Sequence, residues 1–232
     1  MQIVNDVYLI NGFPYGIHEN SYLIRTESAA FIVDCGQMEA DTFPVVERNI
    51  ERWGFDLDDV SHLFVTHAHY DHASYAARLR RGGVKIVASR DTADAMQAGD
   101  ERCIPYVVSK PFKRCETDVI IDDGSVVDIG GVAVRCIAAP GHAAGLMIFE
   151  VSLDGSILWF TGDLIEVGPE CKSLSLGWSG GPDFDRGIYL RTLKRLSGMS
   201  CDVVLPGHGP PLIGGGKRLI DMAYTKALVE WR

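Results

Sequence analysis

Short apolar runs broken by turn residues open the chain. Val-Tyr-Leu-Ile at 7–10, Asn-Ser-Tyr-Leu-Ile at 20–24 and Ala-Ala-Phe-Ile-Val-Asp-Cys-Gly at 29–36 predict three strands, and the turn-rich Asn-Gly-Phe-Pro-Tyr-Gly-Ile-His-Glu between the first two predicts an antiparallel start. The period then lengthens. A helix is expected from about Ala40 to Trp53, closed by Gly54, followed by a compact apolar strand at 61–66, Ser-His-Leu-Phe-Val-Thr. Residues 74–81, Ser-Tyr-Ala-Ala-Arg-Leu-Arg-Arg, carry helical spacing with basic residues in the last turn, and Gly82-Gly83 stops them. Lys-Ile-Val-Ala-Ser at 85–89 predicts another strand and a helix begins near Asp91, while 99–116 has no clean period and predicts a loop.

The second half repeats the style of the first. Residues 119–142 alternate β-rich runs with Asp-Asp-Gly and Gly-Gly turns, and 150–163 predicts a hairpin turning at Leu153-Asp154-Gly155-Ser156. Residues 166–183 predict a long loop, a helix from about Phe184 to Leu196 leads into Asp-Val-Val-Leu-Pro-Gly-His-Gly at 202–209, and a last helix runs from about Lys217 to the end at Arg232. Strands, helix, strand and helix thus occur twice without a sequence repeat. The expected class is α/β with mixed sheets, two sheets flanked by helices, because the hairpins argue against one doubly wound parallel sheet.

Composition narrows this only a little. A hydrophobic fraction of 47% and a charged fraction of 23% are ordinary for a folded protein, and 232 residues with evenly spread apolar segments predict one domain over 1–232. The net charge of −9 supplies no long-range attraction for phosphate backbones, so no nucleic-acid partner is expected, although bound cations would offset the charge locally. The start, Met-Gln-Ile-Val-Asn-Asp-Val-Tyr-Leu-Ile, has no basic flank with a long apolar core, and the six cysteines form no Cys-x-x-Cys pair. A cytoplasmic protein with reduced thiols and no membrane association follows as the expectation. Cysteines are expected to pack as small buried hydrophobes, with Cys35 and Cys171 left open.

Chemistry concentrates in Thr-His67-Ala-His69-Tyr-Asp71-His72, which holds three of only seven histidines. Spacing by two points His67 and His69 the same way from extended chain, so both are expected at the end of the 61–66 strand, with Asp71 and His72 where the chain turns into the next helix. Neutral imidazoles and carboxylates suit zinc, iron or manganese, and the lack of cysteine in the cluster argues for an open catalytic site over a closed structural one. Three more polar motifs end apolar strands: Ala-Ala-Pro-Gly-His142, Phe-Thr-Gly-Asp163 and Leu-Pro-Gly-His208-Gly. Glycine beside each candidate ligand lets the backbone turn tightly there. Seven donors exceed the needs of one tetrahedral ion and suit two ions sharing a carboxylate, which can hold a hydroxide and polarise the bond it attacks.

At this point the sequence resembles the metallo-β-lactamase superfamily, through the His-x-His-x-Asp-His signature and nearly the whole chain around it. The resemblance implies a four-layer αββα sandwich and two divalent metal ions, zinc first, with iron or manganese as alternatives. It implies that one ion takes His67, His69 and His142, that the other takes Asp71, His72 and His208, that Asp163 bridges, and that Asp71 and Asp163 serve catalysis. Asp34, in Ile-Val-Asp-Cys-Gly, matches a family aspartate that orients ligands without binding metal. An aspartate at 163 is similar to glyoxalase II, the acyl-homoserine lactonases and several esterase or phosphodiesterase branches, and unlike the true β-lactamases. Ala73-Ser74 stands where many relatives have glycine, and the stretch of about 24 residues past His208 is short for the glutathione-gripping domain of glyoxalase II.

The expected reaction is cleavage of an ester, thioester or lactone by metal-bound hydroxide on a small-molecule substrate. A phosphodiesterase or phosphotriesterase on the same two metals, and a mononuclear iron oxygenase resembling the persulfide dioxygenases, are the alternatives. Substrate selection is expected from loops 11–19, with Phe13, Tyr15 and His18, 99–116, and 166–184, with Trp178 and Phe184. Tyr70 is a further rim candidate, His62 is expected to be structural, and a homodimer remains open.

Overall fold

The computed structural model describes residues 1–38 and 40–231. Seven strands form the first sheet in chain order: β1 (Gln2–Val4), β2 (Val7–Asn11), β3 (Ser21–Arg25), β4 (Ala30–Val33), β5 (Val60–Phe64), β6 (Lys85–Ser89) and β7 (Val119–Ile121). The first four pair antiparallel and the last three pairings are parallel. Helices α1 (Phe43–Arg52), α2 (Tyr70–Ala73), α3 (Ala76–Arg81), α4 (Arg90–Ala98) and α5 (Pro105–Val108) accompany this half. The second sheet is built from β8 (Val126–Ile129), β9 (Val132–Ala138), β10 (Met147–Leu153) and β11 (Ser156–Gly162). After a small hairpin of β12 (Ile165–Val167) and β13 (Leu174–Leu176) and helix α6 (Arg186–Leu196), β14 (Val203–Pro206) joins parallel to β11, and β15 (Leu212–Ile213) closes the edge before α7 (Gly216–Glu230).

Alternation along the strands explains the layering. Val7, Leu9, Phe31, Val33 and Phe64 pack against Val134, Phe149, Val151, Phe160 and Leu205 between the sheets. Their neighbours Tyr8, Ile10, Ile32, Leu63 and Val65 face outward onto Phe43, Val46, Ile50, Leu79 and Met96 of the first helix layer. On the far side Ile148, Trp159 and Val204 meet Tyr189, Leu193, Leu219 and Ala223 of α6 and α7. Three apolar interfaces separate four layers, helix, sheet, sheet and helix, as the sequence led us to expect. Strands buried on both faces need no polar face, which is why they read as continuous apolar runs.

Several boundaries differ from the sequence expectation, each for a local reason. The strand expected to reach Thr66 ends at Phe64, because the Thr66 N–H leaves the ladder to donate to the Asp34 carboxylate at 2.7 Å. The first helix begins at Phe43 rather than Ala40: Pro44 suits an opening turn, and Tyr75 Oη accepts the N–H groups of Thr42 and Phe43. Helical residues 70–81 split after Ala73, where Tyr75 N donates to Cys35 O. The 99–116 segment holds a short 3-10 turn and α5, started by Pro105. The 166–183 segment contains most of the β12–β13 hairpin, anchored by buried Ile165, Val167 and Leu174. Helix α6 starts at Arg186, with Asp185 capping the Ile188 N–H at 2.7 Å. The last helix ends at Glu230, and its expected end at Arg232 lies outside the described residues.

Phe64 is fully buried between the sheets, with ring centroids 5.2 Å from Phe31 and 5.1 Å from Phe149. Phe64→Ala should cost about 3–5 kcal/mol, read as a lowered urea midpoint with an unchanged slope. A loss under about 1 kcal/mol would mean that the layers are not held there.

Candidate metal centre

Four loops leave the strand ends on one side of the sandwich and bring their polar residues together. Beyond β5 come His67 and His69, with Asp71 and His72 in the short turn of α2. His142 follows β9, Asp163 follows β11 and His208 follows β14. All seven are buried, each at 4% exposure or less. Their ligand-type atoms form two groups, His67, His69, His142 and Asp163, and Asp71, His72, Asp163 and His208, within each of which all lie inside 4.8 Å of one another. His67 and His69 were expected at a strand end; they lie instead in irregular chain past Phe64, with His69 immediately before α2.

Glycine has specific work at two places in this packing. A Cβ on Gly207 would stand 2.3 Å from Asp163 Oδ1 and 2.5 Å from His72 Cε1. One on Gly36 would stand 2.2 Å from Asp71 O. Both glycines therefore let the main chain pass directly behind the donors. Ser74, where glycine was the family expectation, accepts the Gln37 N–H through Oγ at 3.0 Å and ties the same two segments.

Oxygen acceptors behind the rings orient four of the imidazoles. His72 Nδ1 donates to Asp34 Oδ2 at 2.8 Å, His142 Nδ1 to Trp178 O at 2.9 Å and His208 Nδ1 to His18 O at 3.1 Å. Thr66 Oγ1 gives its proton to Asp34 Oδ2 at 2.7 Å, which leaves it to accept from His67 Nδ1 at 3.0 Å. With Nδ1 turned to these oxygens, each Nε2 faces inward. His69 is reversed, with Nδ1 3.1 Å from His142 Nε2.

Unsatisfied atoms test whether cations fit. Asp163 Oδ1 lies 3.1 Å from His72 Nε2, yet neither has a hydrogen-bond partner, and buried Asp71 Oδ1 and His69 Nε2 have none either. Asp163 Oδ2 reaches both groups, 3.3 Å from His208 Nε2 and 3.6 Å from His142 Nε2. Burial, first, and neighbouring histidines push His67 and His69 down, His69 to about 3, and burial likewise lowers His142, so this group presents neutral nitrogen. Around His72 and His208 burial is again the largest influence and opposes charge. Asp163 and Asp71 outweigh it at both, helped at His72 by Asp34, and raise both well above the ordinary imidazole range. Neutral imidazoles on one side and a cation-seeking carboxylate pair on the other suit two divalent ions.

Four of the donors, His69, Asp71, Asp163 and His208, open onto a cleft of about 320 Å³, walled by Met38, Ile104, Val107 and Trp178 together with His18 and Glu166. Of the expected rim residues, His18 and Trp178 are in place, and the His18 ring also stacks on His208 with centroids 4.3 Å apart. Tyr70 and Phe184 are not in this wall: Tyr70 packs against Phe112 in the first helix layer, and Phe184 against Tyr189 and Trp231 in the last. Phe13 is exposed and Tyr15 bonds Leu9 O, so the 11–19 loop gives the wall only His18. His62 bonds Ser61 Oγ away from the cleft. Ile104, Val107 and Glu166 come from the 99–116 and 166–184 loops, where sequence reasoning looked for the rim without singling them out, and it missed Met38 and the nearby buried Glu19. The one signal for Glu166 was its place between two apolar residues just past Asp163.

Asp34→Ala would remove the acceptor behind His72 and the anchor of Thr66. It should weaken metal affinity by about 10–100-fold, measured by competition with a chromophoric chelator. Unchanged affinity in a folded variant would remove Asp34 from the support of this centre.

The geometry has counterparts among known proteins. Residues 15–208 match the family described as the metallo-beta-lactamase superfamily. The chain is similar to the lactamase-like protein adaB of Aspergillus niger, 27% identical over 192 residues that cover 82% of this chain and 49% of that protein. It is also similar to the atrochrysone carboxyl ACP thioesterase of Emericella nidulans, 25% identical over 210 residues, 90% of this chain and 57% of that one. The chain spans about half the length of these curated relatives. In fold it is similar to the native FEZ-1 metallo-beta-lactamase of Legionella gormanii, with a TM-score of 0.79 over 100% of this chain and 94% of that one at 20% identity. With the family match running over most of its length and through all seven converging donors, the chain belongs to the metallo-beta-lactamase superfamily.

Proposed function

We propose that the protein is a metal-dependent hydrolase that cleaves an ester, thioester or lactone in a small, largely apolar acyl substrate. The observation that carries this reading is the position of Asp163, whose carboxylate belongs to both donor groups at the floor of the cleft. Two divalent ions held by those groups would acidify a water molecule and polarise the carbonyl it attacks. The chain's own part is to orient and to exclude. Asp71 Oδ1, buried and unpartnered, is available to accept a proton from the attacking water. Met38, Ile104, Val107 and Trp178 offer an apolar surface to the acyl body and displace water from it.

The wall also separates acyl from phosphoryl chemistry. Among the described residues neither lysine nor arginine lines the cleft, and Glu166, the acidic residue there outside the donor cluster, would repel a phosphodiester. Three relatives bear thioesterase names, which supports placing a thioester among the candidates.

Purified protein should carry two divalent ions per chain by elemental analysis, and chelation should abolish turnover that zinc then restores. On a panel of esters, thioesters, lactones and a nitrophenyl phosphodiester, the acyl compounds should be preferred. Metal-loaded protein inert toward every acyl class, active mainly on the phosphodiester, or consuming oxygen with one iron per chain would each overturn the proposal. His67→Ala and Asp163→Ala should each lower kcat/KM by at least about 1,000-fold, since losing one ion's donor disables the shared centre, with circular dichroism confirming the fold.

A further inference from the structure

The cleft wall is chemically lopsided. Against four apolar residues it sets, among the described residues and outside the donor cluster, a single carboxylate, Glu166, and the geometry of β12 puts it there. Ile165 and Val167 are buried among the residues under α6 and α7, so the side chain between them must leave on the opposite face, which is the cleft. Cross-strand pairing with Ser175 fixes the position. Glu166 is half-buried, and burial, its largest influence, pushes its carboxyl up. Among the described residues no hydrogen bond or ion pair reaches that carboxylate. A partly desolvated carboxylate without a donor is one that a ligand can satisfy.

The distribution of cations sharpens the contrast. Arg80, Arg81, Lys113 and Arg114 gather around a separate cavity of about 410 Å³, and among the described residues no lysine or arginine lines the cleft. We propose that Glu166 is a specificity-determining residue: it favours substrates whose apolar acyl part carries an ammonium or other hydrogen-bond donor, and it turns away those whose acyl part carries a carboxylate or phosphate. This rests on the acyl-hydrolase reading above. The apolar body lies on Met38, Ile104, Val107 and Trp178, and its donor group meets Glu166 at the side of the cleft.

The test uses three thioesters of equal length whose acyl chains end in methyl, ammonium or carboxylate, given to the metal-loaded protein. Wild type should favour ammonium over carboxylate by roughly 100-fold in kcat/KM, carried mainly by KM, because like charges brought together cost several kcal/mol. Glu166→Gln should compress that ratio to under about tenfold and Glu166→Lys should invert it, at unchanged metal content and thermal midpoint. A second reading needs no turnover: 4-phenylbutylammonium, followed by calorimetry, should bind Glu166→Gln about tenfold more weakly than wild type, the loss of one charge-assisted contact. If wild type hydrolyses the thioesters but Glu166→Gln keeps the wild-type ratio and affinity, the inference is wrong and the proposed function stands. If no acyl substrate is turned over, the proposed function fails, and the calorimetric comparison alone decides whether Glu166 selects charge.

Discussion

One buried carboxylate organises the centre. Asp34 sits at the end of β4 with a left-handed backbone, φ 54°, and accepts from the Thr66 N–H, the Thr66 hydroxyl and His72 Nδ1. The backbone conformation costs about 1–2 kcal/mol, whereas hydrogen bonds to a charged group contribute about 1.5–3 kcal/mol each, so the bonds win. They end the β5 ladder where the histidine motif must begin, and through Thr66 they also set the tautomer of His67. A residue that need touch no metal thus orients one imidazole in each donor group.

The sandwich makes this possible by burying its strands on both faces. Polar side chains have no place along such strands and collect beyond their ends, where main chain must turn away from the ladder. Asn20 and Tyr22 stitch the two sheets together at this edge: Asn20 Nδ2 donates to Pro206 O at 2.9 Å and Gly209 O at 2.8 Å, and Tyr22 Oη to Pro206 O at 2.8 Å. His208 is therefore positioned by contacts that the first sheet makes with the second, and its ring is backed by His18 from the first.

Layering and the meeting of the donors were legible in the sequence because both rest on strong local signals, continuous apolar runs and glycine-flanked polar motifs at their ends. Element ends were less so. Thr66 looked like strand because its β-branched side chain favours one, and only a distant aspartate takes its N–H away. The cleft wall was least legible. Ile104 and Val107 read as ordinary apolar residues in an aperiodic stretch, and Tyr70, set between donors in sequence, points into the helix layer because α2 rotates it there. A motif says which residues share a strand end, but wall membership depends on which way each short turn rotates.

Each donor group draws on both halves of the chain: His67 and His69 meet His142 and Asp163, while Asp71 and His72 meet Asp163 and His208. Neither half holds a complete group, so an ion that binds here binds the docked pair of sheets and not the separated ones. By mass action, free ion at 100 times its dissociation constant would add about 2.7 kcal/mol to the association of the halves. The donor cluster is on this account also a clasp, and its tightness depends on the supply of metal.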